Sequence, residues 1–193
     1  MYYKLTNQKM QTYHGFQWTL GKWYKIPKRN RGWGLCSRSW FHCYNDPLLA
    51  VLLNPKHANI ENPLLFVCEI RGYIATECGL KFGFTEMKLT KEIPVPVITD
   101  TQRIAFGILC AQKVYKEPGW NLWADNWLLG KDRSKEATEK TWVDGNAHSA
   151  AAAVYAARVE VESIKCVAAS AATYAAYIDN IDLPAIAKEA MKY

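Results

Sequence analysis

No stretch of this 193-residue chain offers the roughly 18 or more uninterrupted apolar residues that a membrane-crossing helix needs. The nearest run, Cys166 to Ile178, is shorter and carries Ser170, Thr173, Tyr174 and Tyr177. The opening residues, Met-Tyr-Tyr-Lys-Leu-Thr-Asn, show neither the apolar segment nor the small-residue cleavage site of a secretory leader. The expectation is a cytoplasmic protein with no membrane partner. Cys-x-x-Cys is also missing. The six cysteines (Cys36, Cys43, Cys68, Cys78, Cys110 and Cys166) are spread along the chain. Cys36, His42 and Cys43 lie close together, but no second ligand pair follows at zinc-finger spacing. Reduced, structural cysteines and no metal are expected.

Catalytic signatures are equally scarce. There is no Gly-x-x-x-x-Gly-Lys-Ser/Thr loop and no Gly-x-Gly-x-x-Gly turn, the two common glycine cradles for phosphate. The Gly-x-Ser-x-Gly nucleophile elbow and the His-Glu-x-x-His zinc helix are absent too. On these residues no cofactor is expected, and the balance leans away from an enzyme.

What is present is unevenly placed. Half the residues are apolar and 22% charged, the composition of a folding chain. The net charge of +6 belongs to the first half: residues 1–98 carry 13 Lys and Arg against 6 Asp and Glu. All eight tryptophans lie at or before Trp142, and alanine dominates the last fifty residues. Acids are missing between Lys22 and Arg38, where Lys22, Lys25, Lys28, Arg29, Arg31 and Arg38 are interleaved with Trp23 and Trp33. Cations neutralise phosphates and exposed aromatics stack on bases, while Trp and Arg also anchor protein interfaces. The segment therefore suits nucleic acid or an acidic protein, unless its tryptophans fold into the core.

The pattern predicts an α+β fold: a small, mostly antiparallel sheet with one short helix over residues 1–96, then an Ala-rich helical bundle over 97–193. Strands are expected at Tyr2–Leu5, Gly15–Gly21, Leu65–Gly72 and Leu80–Ile93, the last bent at Gly83, with a loop from Lys22 to Ser39. Asp46-Pro47 opens a helix that Pro55 stops. Thr99 and Gln102 form a capping-box pattern for a helix that Pro118-Gly119 ends. Further helices are expected at Trp120–Leu129, at Ser134–Trp142 and after Asp182. A single long helix should run from Ala147 to Ile178. Its stripe of small residues suits packing within the chain or against a second copy, the basis for expecting a homo-oligomer. Trp120, Trp123 and Trp127 share one helical face and read as core.

Gly15-Phe-Gln-Trp18, then Leu35-Cys36, then Trp40 and Phe41 before His42-Cys43, then a Pro-led helix, together resemble a phage- and bacteria-associated domain family of unknown function. The likeness covers about residues 1–93, and similar phage proteins continue into an Ala-rich tail. It implies a mobile-element origin and a host-cell setting, in which inhibition of a bacterial defence system would fit. His14-Gly15, and the aromatic run Ser39–Tyr44 leading into a helix, are similar in order to ADP-ribosyltransferases. That resemblance implies NAD, with His14 and His42 at the nicotinamide pocket and Glu86 polarising the ribose. The tyrosine and Ser-Thr-Ser patterns of those enzymes do not line up here. The leading expectation is an accessory protein that binds a host macromolecule through the basic, aromatic surface. The alternatives are an NAD-using transferase and a virion or assembly component.

Overall fold

Tyr2, Lys4 and Thr6 alternate with Tyr3 and Leu5, and this alternation becomes the first strand, β1 (Tyr2–Thr6). The computed structural model describes residues 1–27, 34–143, 147–158 and 161–193, with the backbone alone at 161 and 162. The chain forms two compact units, Met1–Val97 and Ile98–Tyr193, the first built on a sheet and the second helical, an α+β protein.

In the first unit β1 is followed by β2 (Gln11–Thr12), β3 (Phe16–Gln17), β4 (Trp23–Lys25), β5 (Phe41–Cys43), α1 (Pro47–His57), β6 (Leu64–Glu77) and β7 (Lys81–Ile93). All pairings are antiparallel: β1 with β6, β6 with β7, and β7 with both β4 and β5, while β2 and β3 make a hairpin of their own. Just past β5, the Tyr3 N–H donates to the Tyr44 carbonyl at 2.8 Å and the Tyr44 N–H donates back to the Tyr3 carbonyl at 2.9 Å. The order β1–β6–β7–β5 thus returns to β1 and closes a ring. Across it the Tyr2 ring meets Phe82 and Phe84 edge-on, with centroids 5.4 and 4.9 Å away.

The two long strands bend to make this closure. Their register shifts between Arg71 and Ile74, a bulge at Gly72 with φ +79°. A Cβ at Gly72 would sit 2.2 Å from Thr85 Oγ1, the atom that accepts the Tyr73 N–H. Inside the ring lie Trp18, Cys43, Phe66, Cys68, Phe84, Met87 and Leu89. The opposite face of β1 and β6 presents Leu5 and Leu65, both buried, on the side where β1 neighbours α1.

Three expectations for this unit need correction. The strand expected over Gly15–Gly21 shrinks to Phe16–Gln17, because Gly15 belongs to a 3-10 turn and Trp18 turns inward, where its indole N–H donates to Thr12 Oγ1. The segment read as a loop from Lys22 contains β4, recruited by the open edge of β7. Pro55 does not stop α1, which runs to His57; proline there forgoes one hydrogen bond near the helix end. The Asn54 side chain closes the turn by donating to the Ile60 carbonyl and accepting its N–H. Asp46 caps the helix as expected, accepting from the Leu48 N–H at 2.8 Å.

The second unit comprises, among the described residues, α2 (Asp100–Val114), α3 (Pro118–Leu128), α4 (Lys135–Lys140), α5 (His148–Arg158), α6 (Val161–Ile178) and α7 (Leu183–Ala190). Thr99 and Gln102 form the full capping box on α2. Pro118 and Gly119 open α3 rather than closing α2. The Glu117 carboxylate accepts the N–H groups of Gly119 and Trp120, and proline in the first turn loses no bond. Trp120, Trp123 and Trp127 are buried, as their spacing implies.

The single helix expected over Ala147–Ile178 is two helices lying side by side. The Ser149 hydroxyl at the start of α5 donates to the Ala171 carbonyl, well along α6, so the two run antiparallel. Folding back lets each Ala stripe bury against the other and against α2, which one straight rod cannot do. No helix among the described residues is long and apolar enough to cross a membrane.

Close approach of α2 and α6 depends on Gly107, where a Cβ would lie 3.3 Å from Ala171 Cβ and 3.4 Å from the Ala168 carbonyl oxygen. Gly107→Leu is expected to lower stability by about 1–3 kcal/mol through overpacking. Ala151→Leu on an exposed face should stay within about 0.5 kcal/mol of the parent. Urea denaturation of both variants checks the contrast.

Candidate binding face of the sheet

Period-two alternation in β6 and β7 sends Cys68, Ile70, Met87 and Leu89 inward and leaves Glu69, Arg71, Glu86 and Lys88 on the outer face. β4 adds Trp23 and Lys25 to that face, because Tyr24 pairs with the inward Met87. Two cross-strand rows result: Trp23–Lys88–Glu69 and, beside it, Lys25–Glu86–Arg71. Lys25 Nζ lies 2.6 Å from Glu86 Oε1, and Lys88 Nζ lies 2.8 Å from Glu69 Oε2. The Arg71 guanidinium sits over the Trp23 ring at 4.1 Å, and Lys88 Nζ approaches the same ring at 5.2 Å. Lys22 Nζ lies 5.3 Å from the Tyr24 ring. The face is a ladder of mixed charge holding one half-buried tryptophan.

The structure gathers only part of the residues singled out from sequence. Trp23 and Lys25 belong to this face; Lys22, just before β4, is exposed and reaches the ring of the inward Tyr24 instead, and Arg38 is exposed in the loop before β5. Lys28, Arg29, Arg31 and Trp33 lie outside the described residues. Arg71, Lys88 and Glu69 were not singled out. Their signal was the strict alternation of charged with apolar side chains at 68–71 and 86–89.

No contact among the described residues joins His14, His42 and Glu86. His14 is exposed at φ 56°, with its ring 3.9 Å from that of Tyr13. Glu86 is engaged by Lys25. His42 Nε2 faces the Leu35 carbonyl, an acceptor only, so Nε2 carries the proton and donates. Behind His42, Lys4 Nζ reaches through the ring to donate to the His42 carbonyl at 2.6 Å and lies 5.1 Å from the Trp18 ring. Burial pushes the Lys4 ammonium below the ordinary lysine range, opposed by the neighbouring Cys68 and Cys43. The buried Cys43 thiol is pushed up by burial, and the Cys68 thiol to about 12. These two are packing groups, as expected of structural cysteines. Among the described residues no three His, Cys, Asp or Glu side chains gather as a metal site.

A family model described as a domain of unknown function (DUF7666) matches residues 1–100, the whole sheet unit and slightly more than half the chain. The chain belongs to the DUF7666 family. No curated protein and no solved structure matches it. The DUF7666 region carries the ladder, the ring and its buried lysine; most of the Ala-rich unit lies beyond it.

Two imidazoles of the DUF7666 unit give it an acid limit. Burial lowers His42 to about 4, partly offset by its bond to Leu35. Burial and then Lys81 lower His57, whose Nδ1 lies 3.1 Å from the Tyr44 hydroxyl oxygen, also to about 4. Their unfolded values stand near 6.5. The unfolded chain therefore takes up protons first, so their stabilisation is complete above pH 6.5 and is lost as pH falls toward 4. At pH 5 the expected loss is on the order of 1–2 kcal/mol for each imidazole. Urea midpoints at pH 7.5 and 5 should fall with acid in the parent and fall less in His57→Gln.

Proposed function

We propose that this protein binds, without catalysis, an acidic protein of a bacterial host through the outer face of β4, β6 and β7. It would act as a phage or mobile-element accessory protein, and a component of a bacterial defence system is a fitting target. The origin rests on the sequence resemblance of residues 1–93. The binding face rests on Trp23, flanked by the Arg71 guanidinium and the Lys88 ammonium. Trp and Arg are the side chains that most often dominate binding energy when a partner seals them from water.

The charge pattern favours protein over nucleic acid. A polyphosphate backbone is held by uncompensated cations that release counterions. Here Lys25 and Lys88 already face carboxylates at 2.6 and 2.8 Å, and the two rows hold three cations against two acids. Alternating charge of this kind sets register and orientation on a protein surface of complementary pattern.

The test is capture by the tagged full-length protein from a bacterial lysate at low and moderate salt, read by mass spectrometry and ultraviolet absorbance. The expected outcome is one stoichiometric acidic protein whose retention drops at least tenfold in Trp23→Ala and Arg71→Glu, with melting temperatures unchanged. Retention of nucleic acid alone, or of a partner indifferent to both substitutions, overturns the reading.

A further inference from the structure

At the end of the ring near the β6–β7 turn, three reactive side chains meet that the binding face does not use. Lys81 Nζ donates to Cys36 Sγ at 3.0 Å and pairs with Glu77 Oε2 at 2.8 Å. Glu77 and Lys81 are opposed across the turn made by Cys78, Gly79 and Leu80, which the Leu80 N–H closes onto the Glu77 carbonyl. Cys78 and Gly79 both adopt positive φ there. The strand pair thus fixes the ammonium, and the loop before β5 brings the thiol to it.

That loop is seated firmly. Gly83, the β7 residue opposite His42, has no side chain; a Cβ there would fall 2.3 Å from Leu35 Cδ1 and 2.9 Å from Trp40 Cβ. The Leu35 carbonyl takes the His42 Nε2–H, the Ser37 hydroxyl donates to the Gly34 carbonyl, and the Ser39 N–H donates to Ser37 Oγ. Cys36 remains exposed while its sulfur is held on a buried ammonium. Burial alone would lower Lys81, but its bonds to Glu77 and Cys36 outweigh burial and keep it above the ordinary range, so the cation persists at neutral pH.

Nucleophilic cysteines combine exposure with an adjacent cation that favours the thiolate. Among the described contacts only Cys36 has both. Cys43, Cys68 and Cys110 are buried, and Cys78 and Cys166 are exposed with no cation in hydrogen-bond contact among the described residues. We propose that Cys36, paired with Lys81 and Glu77, is a peroxide-modified thiol site. The Cys36 sulfur attacks one peroxide oxygen, the O–O bond breaks, and the sulfur becomes a sulfenic acid. The second oxygen leaves as hydroxide and takes a proton from solvent to become water. Two electrons pass from sulfur to peroxide, the thiol proton passes to solvent, and Lys81 Nζ, 3.0 Å from Sγ, is the hydrogen-bond donor that holds the sulfur in place.

The experiment treats the full-length protein with hydrogen peroxide at neutral pH in the presence of dimedone, which traps sulfenic acids, and reads each cysteine by peptide mass spectrometry. Cys78 and Cys166 are internal references in the same molecule. Cys36 should label about tenfold faster than either. Lys81→Met should bring it down to their rate, and Lys81→Arg should retain most of the difference. Equal or slower labelling of Cys36 in the parent protein overturns the proposal without any variant. So does an unchanged Cys36 rate in a folded Lys81→Met. Glu77→Gln gives a second reading, with a smaller fall in rate expected because the ammonium loses its anchor.

Discussion

The paired backbone bonds between Tyr3 and Tyr44 hold the sheet unit in a ring, and most of its other features follow from that closure. Without the pair, β1 would lie at the edge of a curled sheet and β5 would be a three-residue flap on β7. With it, the inward faces of four strands enclose one core, and Lys4 is carried inside with them. An amine buried that deeply is costly unless its protons find acceptors. It meets the His42 carbonyl and the face of Trp18, which ties β1 to β5 at side-chain level just where the backbone pair ties them. The bulge at Gly72 and the bare surface of Gly83 are the local adjustments that let long strands curve and a loop lie flat upon them.

The outward face has a different character because its polar atoms are already engaged with one another. Exposed ion pairs contribute little stability, usually below about 1 kcal/mol each. Their value here is geometric: they hold lysine and arginine stems upright beside Trp23, so less side-chain entropy is lost when a partner arrives. A solvated basic loop would offer more charge and far less definition.

Much of the fold was legible because its cues are local. The Asp46 cap, the Thr99–Gln102 box, the buried Trp120, Trp123 and Trp127 stripe and the strand β7 each depend on neighbours within a few positions. Punctuation by proline was less reliable. Pro55 sits inside the last turn of α1 and Pro118 in the first turn of α3, and it is the side chains of Asn54 and Glu117 beside them that close one helix and open the other. The run from Ala147 looked continuous since alanine favours a helix whatever surrounds it; the return of the chain is a tertiary choice that no local preference announces. The outer ladder was half visible. Lys25 and Trp23 stood out by density of charge and aromatics, whereas Arg71 and Lys88 gained meaning only once the strand register set them across from those residues.

The ring also sets an order of events as the chain is made. Tyr2 pairs with Cys68 and Tyr3 with Tyr44, so the first strand has no partner until dozens of later residues have emerged. Contacts of such long sequence separation form slowly, because the intervening chain must give up its freedom first. In the second unit α2 waits in the same way, since Gly107 meets Ala171 and the Gln102 side chain reaches the Met191 carbonyl. The nascent first strand, with Tyr2, Tyr3 and Leu5 still uncovered, therefore needs shelter during synthesis, and changes that slow the arrival of β6 should be felt as lost yield before they are felt as lost stability.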